Sequence, residues 1–134
     1  MELFIKCLHR VRRRTVEGHD IHSLYHKLSV SDQKKIAKYF AAIVSRHPDY
    51  EWAVANRTHF DVESVLLRNK DMFTKTRYWH EGAPPNRDSF GSYGNAGTGS
   101  LAEAIRDLIF ELRPKWMNLE LAFGDAVMFN QRPT

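Results

Sequence analysis

The chain has 134 residues, a formal net charge of +4, and 43% apolar and 12% aromatic residues. That is long enough for one domain with a hydrophobic core and too apolar for a disordered chain. No apolar run reaches the roughly 18–20 residues of a membrane span, no secretory leader follows Met1, and the lone Cys7 excludes an internal disulfide, so no membrane partner and a cytoplasmic location are expected.

The charge is unevenly spread. Residues 1–40 hold nine Lys and Arg against four Asp and Glu, a net of +5, while residues 41–99 balance at seven against seven. A basic N-terminal third suits a phosphate-bearing partner. It is equally the signature of solvated helix faces.

The first predicted helix runs from about Glu2 to Arg13, with Leu3, Phe4, Cys7, Leu8 and Val11 as its apolar stripe and Lys6, Arg10, Arg13 and Arg14 off it. After Arg12-Arg13-Arg14, Gly18 frees the backbone for a bend. Asp20 is placed to cap a short helix carrying Ile21, Leu24 and Leu28 at i, i+3 and i+7. Together these predict a helix hairpin with positive charge at its bend. Ser29, with acidic Asp32 three residues on, predicts a capped third helix with Ile36, Phe40, Ile43 and Val44 inward and Lys34, Lys35 and Lys38 outward. Pro48 stops it near Arg46-His47. Residues 48–59 read as loop or a short irregular helix around Tyr50, Trp52 and Val54. Asp61 opens a long helix through Val62, Val65, Leu66, Met72, Phe73 and Thr76, which Gly82-Ala83-Pro84-Pro85 ends.

Residues 82–99 form one long Gly/Pro/Ser/Asn-rich loop, in which Phe90 and Tyr93 can pack back. Ser100-Leu101-Ala102-Glu103 predicts a capping box. The helix it opens has Leu101, Ala104, Ile105, Leu108 and Leu112 as its stripe and ends at Pro114. Residues 115–134 are apolar but weakly periodic. No alternating strand pattern and no internal repeat occurs, so residues 1–134 read as a single all-α domain.

Few residues carry legible chemistry. His22 and His26 stand i, i+4 on one helix face, at metal-ligand spacing, with His19 just before them. No HExxH arrangement and no cysteine pair supports them, so no metal and no cofactor is expected. The glycines of residues 91–99 precede a helix whose N–H groups could attract an anion. No strand precedes them and no Lys-Ser/Thr follows, so a surface loop is expected. Cys7, on an apolar face, is expected to stay protonated. Arg77-Tyr78-Trp79-His80-Glu81 could grip a phosphate, stack a base or supply an acid/base. The aromatics could equally be core anchors.

Glu2-Leu3-Phe4-Ile5-Lys6-Cys7-Leu8, the stretch Gly18-His19-Asp20-Ile21-His22-Ser23-Leu24-Tyr25-His26-Lys27-Leu28, and the segment Phe73 to Gly82 with Arg77-Tyr78 and Glu81 together resemble HEPN domains. These are helical-bundle modules common in prokaryotic toxin–antitoxin and defence systems. The resemblance spans residues 2–82 with the motifs in the family's order, and the last helix fits by position. It implies a bundle of four to five helices. The family carries a further helix before the segment at which this chain starts, so residues 115–134 or a second subunit should complete the bundle, and a homodimer is expected.

HEPN ribonucleases use an Arg-x4–6-His motif near the last helix. Here Arg106 and Arg113 have no His downstream, Arg77 and His80 are too close, and Arg14 and His19 have the spacing but lie in the first hairpin. The resemblance therefore implies a non-catalytic or degenerate module that binds RNA or an RNA-containing complex. Its contacts would be Arg10, Arg13, Arg14 and Arg77, with His80 nearby. Two alternatives stay open: a metal-independent ribonuclease with His19 or His80 as acid/base, and a factor that binds a host or phage defence protein.

Overall fold

Side-chain oxygens set where three of the helices begin, and the core follows from the faces those starts present. The computed structural model describes residues 1–48, 50–55, 61–70 and 97–117. Among these, six helices and no strand occur: α1 (Glu2–Val11), α2 (Ile21–His26), α3 (Val30–Val44), α4 (Tyr50–Ala55), α5 (Val62–Asn69) and α6 (Thr98–Leu112). The fold is all-α. The count exceeds the expected four to five because the segment after Pro48 forms the six-residue helix α4.

Asp20 caps α2 by accepting from the backbone N–H of His22 and Ser23. The Ser29 hydroxyl caps α3 by accepting from Asp32 N–H, and Asp61 caps α5 by accepting from Ser64 N–H. Each satisfies donors that a helix start leaves orphaned, typically worth about 1 kcal/mol. α6 departs from expectation. It begins at Thr98, two residues before Ser100, with Gly97 in the left-handed region at φ +92° and no side-chain cap. Glu103 does not close a capping box. Its carboxylate lies 3.6 Å from Arg106 instead.

α6 is the hub of the described bundle. It packs on α3, α1 and α5, while α2 packs on α1 and α5. Its Leu101, Ala104, Ile105 and Leu108 are fully buried and share one apolar cluster with Ile36 and Phe40 of α3 and Val65 and Leu66 of α5. Full burial of such a side chain contributes about 1.5–3 kcal/mol relative to exposure.

The buried face of α1 is not the expected stripe. Ile5, Leu8, His9 and Val11 are buried, Cys7 is only partly buried, and Leu3 and Phe4 are 80% and 37% exposed. The cause is that positions 5, 8 and 9 lie on one face, and the Leu24 carbonyl on α2 gives the His9 ring a partner there, 2.9 Å from Nε2. A carbonyl only accepts, so Nε2 carries the proton. No helix among the described residues is long and apolar enough to cross a membrane.

Candidate functional site

The C-terminal end of α1 turns on an arginine where a glycine is the usual choice. Arg13 N–H donates to the Arg10 carbonyl at 2.9 Å, and Arg14 N–H donates to the His9 carbonyl at 2.8 Å. That pair of bonds is the Schellman closure, and it needs a left-handed residue at its centre. Arg13 fills the position at φ +59°, the only non-glycine with positive φ among the described residues. An L-residue with a side chain is strained there by about 1–2 kcal/mol.

The four arginines at this end divide by partner. Arg12 points back onto the bundle and grips Asp32 with two bonds, Nε to Oδ2 at 3.0 Å and Nη2 to Oδ1 at 2.5 Å. Asp32 is 1% exposed. Burial pushes its carboxyl up, but hydrogen bonds from Arg12 and Ser29 outweigh that and hold it below its ordinary range. Arg10, Arg13 and Arg14 are exposed. Arg10 Nη1 donates to the Thr15 hydroxyl at 3.2 Å, and Arg14 Nη1 makes a long 3.5 Å contact with the Lys27 carbonyl. Among the described residues no carboxylate pairs with any of these three.

His19 follows Gly18, which stands at φ +98°. Its Nδ1 lies 2.9 Å from Glu2 Oε1, which also takes Lys6 Nζ at 2.7 Å. Burial raises the Glu2 carboxyl, and its bonds to Lys6 and His19 bring it below its ordinary value. Burial raises the thiol of Cys7, as expected for an unreactive cysteine.

A second cluster joins α2 to α5. His22 Nε2 lies 2.6 Å from Glu63 Oε1, and His26 Nε2 lies 2.8 Å from Glu63 Oε2. The two imidazoles meet edge to face at 4.5 Å between centroids. The hydrogen bond from His22 holds the Glu63 carboxyl below its ordinary range. Partial burial opposes this, and His26 adds to it. Behind the cluster, burial and then the Glu63 charge push the Tyr25 hydroxyl up to about 12. Its O–H donates to the Gln33 carbonyl at 3.2 Å. Among the described residues, His22, His26 and Glu63 are the set that could hold a metal ion.

The helical spacing of the two histidines was legible in the sequence, but Glu63, 37 residues beyond His26, was not. Asp32 as the partner of Arg12 was likewise missed. Residues 71–96, with Met72, Phe73 and Thr76 of the expected long helix, Arg77, Tyr78, Trp79, His80 and Glu81, and the long loop up to residue 96, and residues 118–134 lie outside the described residues. Comparison with family models, curated proteins and solved structures gives no match.

Proposed function

We propose that the chain is a HEPN-like, non-catalytic module of the cytoplasm that binds RNA or an RNA-containing complex in a prokaryotic defence or toxin–antitoxin setting. The observation that carries the reading is the left-handed Arg13. A backbone position that favours glycine is filled by Arg13, beside Arg10 and Arg14, and none of the three has a carboxylate partner among the described residues. Backbone strain at an exposed cationic position supports a role outside folding. Guanidinium suits phosphate because it donates paired hydrogen bonds and keeps its charge. Arg77 belongs to the same proposal through the family resemblance alone.

A homodimer is part of the same reading. Leu3 and Phe4 leave an apolar strip open on α1 that a second copy would cover.

The test is RNA binding by the Arg13→Ala/Arg14→Ala variant across a salt series. Binding should weaken broadly across sequences, and the slope of log affinity against log salt should drop by roughly one to two units, about one per lost phosphate contact. Light scattering on the same samples reads the homodimer. Parental affinity with an unchanged slope would remove the arginine edge from the interface and favour a protein partner. Metal-independent RNA cleavage that vanishes on substitution of His19 or His80 would favour the ribonuclease.

A further inference from the structure

We propose that His22, His26 and Glu63 form a binding site for one divalent transition-metal ion of the zinc class. The three residues offer two imidazole nitrogens and a carboxylate oxygen, all within 4.8 Å of one another. In a tetrahedral site with bonds of about 2.0–2.1 Å, ligand atoms stand roughly 3.3 Å apart. His22 and His26 meet different oxygens of Glu63, at 2.6 and 2.8 Å, so the carboxylate turns to offer one oxygen to the ion, a movement within the reach of side-chain rotation.

The scaffold is fixed before any ion arrives. His22 and His26 sit one helical turn apart on α2, whose start is locked by Asp20 accepting from His22 N–H at 2.9 Å. Glu63 lies in the first turn of α5. There Asp61 accepts from Ser64 N–H and from the Ser64 hydroxyl, each at 2.8 Å. α2 and α5 pack directly against each other, so two capped helices bring the donors together from sequence positions far apart.

The donor set selects the ion. Imidazole favours zinc, cobalt, nickel and copper over calcium and magnesium, which take oxygen ligands. His22 is half-buried, whereas His26 and Glu63 are exposed. The cluster therefore opens to solvent, and water completes the coordination. Binding requires each Nε2 to present its lone pair, with the ring proton held at Nδ1. The ion then links α2 to α5 through ligand bonds where the metal-free chain has imidazole–carboxylate hydrogen bonds. None of these residues belongs to the arginine edge, so RNA binding and metal binding fail independently.

The experiment is a zinc titration of the untagged full chain by calorimetry, with calcium and magnesium as comparison ions. One zinc per chain is expected, with no binding of the other two. His26→Ala and Glu63→Gln should each weaken zinc at least tenfold, and His19→Ala should leave it unchanged. Because zinc is diamagnetic, the histidine ring signals of the wild-type chain give a reading that needs no variant to fold. Stoichiometric zinc should move the Nε2 signals of His22 and His26. The proposal is overturned if the chain takes up no stoichiometric zinc, if Glu63→Gln and His26→Ala bind it as the parent does, or if other histidines move instead.

Discussion

Both ends of the loop between α1 and α2 hold a left-handed residue, and they fill it in opposite ways. Gly18 takes φ +98° at the α2 end, where a glycine adopts it freely, and Asp20 then caps the helix. Arg13 takes φ +59° at the α1 end, where its Cβ makes the left-handed conformation strained. Next to it, Arg12 is turned inward onto Asp32. The Gly18 end follows the rules of local backbone preference. The Arg13 end departs from them at one residue and anchors the bundle with its neighbour. That contrast sets a residue that suits its backbone position against one that does not.

The hardest test of the contrast removes the anchor. Arg12→Ala leaves the Asp32 carboxylate buried without its guanidinium and should lower stability by about 2–3 kcal/mol at neutral pH in urea unfolding. The sign of its pH dependence follows from the depressed folded value of Asp32. The contribution of the pair is complete above the unfolded value of about 4 and fades as pH falls through the lower folded value. The stability gap between parent and variant should therefore narrow below pH ~4. A gap that persists to pH 2 would show that the aliphatic part of Arg12, and not its charge, holds the contact.

The next test exchanges the permissive position. A Cβ built on Gly18 meets nothing within 4 Å, so any penalty there is backbone strain and not a clash. Gly18→Val should destabilise by about 1–2 kcal/mol, and Gly18→Ala by nearly as much. Unchanged thermal midpoints in both would mean that the bend relaxes easily to negative φ.

The smallest effect has the opposite sign. Arg13→Gly should stabilise the chain by about 0.5–1 kcal/mol while weakening RNA binding. A lowered midpoint would show that the Arg13 side chain itself supports the turn and that its conformation serves folding.

Much of the fold was legible because it is local. Asp20, Ser29 and Asp61 start their helices where the sequence placed them, and α6 stops at Leu112, just before Pro114, as that proline requires. Ile21, Leu24 and Leu28 are all buried as their spacing foretold. The face of α1 was not legible, because apolar residues at 3, 4, 5, 7, 8 and 11 cover too wide an arc for periodicity to choose. The choice is made by partners from elsewhere: the Leu24 carbonyl for His9 and Asp32 for Arg12. The start of α6 was misplaced because Ser100 and Glu103 satisfy a pattern that the backbone does not need once Gly97 turns left-handed. Glu63 was invisible as a partner of His22 and His26 for the same reason as Asp32. Spacing reports neighbours within one helix, not those between helices.

The position of α6 also governs how the bundle can assemble. α6 lies late in the chain, yet it covers α3, α1 and α5. The bridges it closes are long in sequence: Lys35 Nζ to Glu111 Oε1 spans 76 residues, and Arg113 to the Val11 carbonyl spans 102. α2 and α5, at six and eight residues, are too short to hold as isolated helices, so they depend on the packing that α6 completes. Leu8, Phe40 and Leu66 belong to the single apolar cluster that α6 completes. Contacts this distant in sequence close large loops, and such contacts slow folding in general. A chain cut before Thr98 lacks the helix that covers α1, α3 and α5, so it should aggregate or be degraded by a protease that the full chain resists, which limited proteolysis would read.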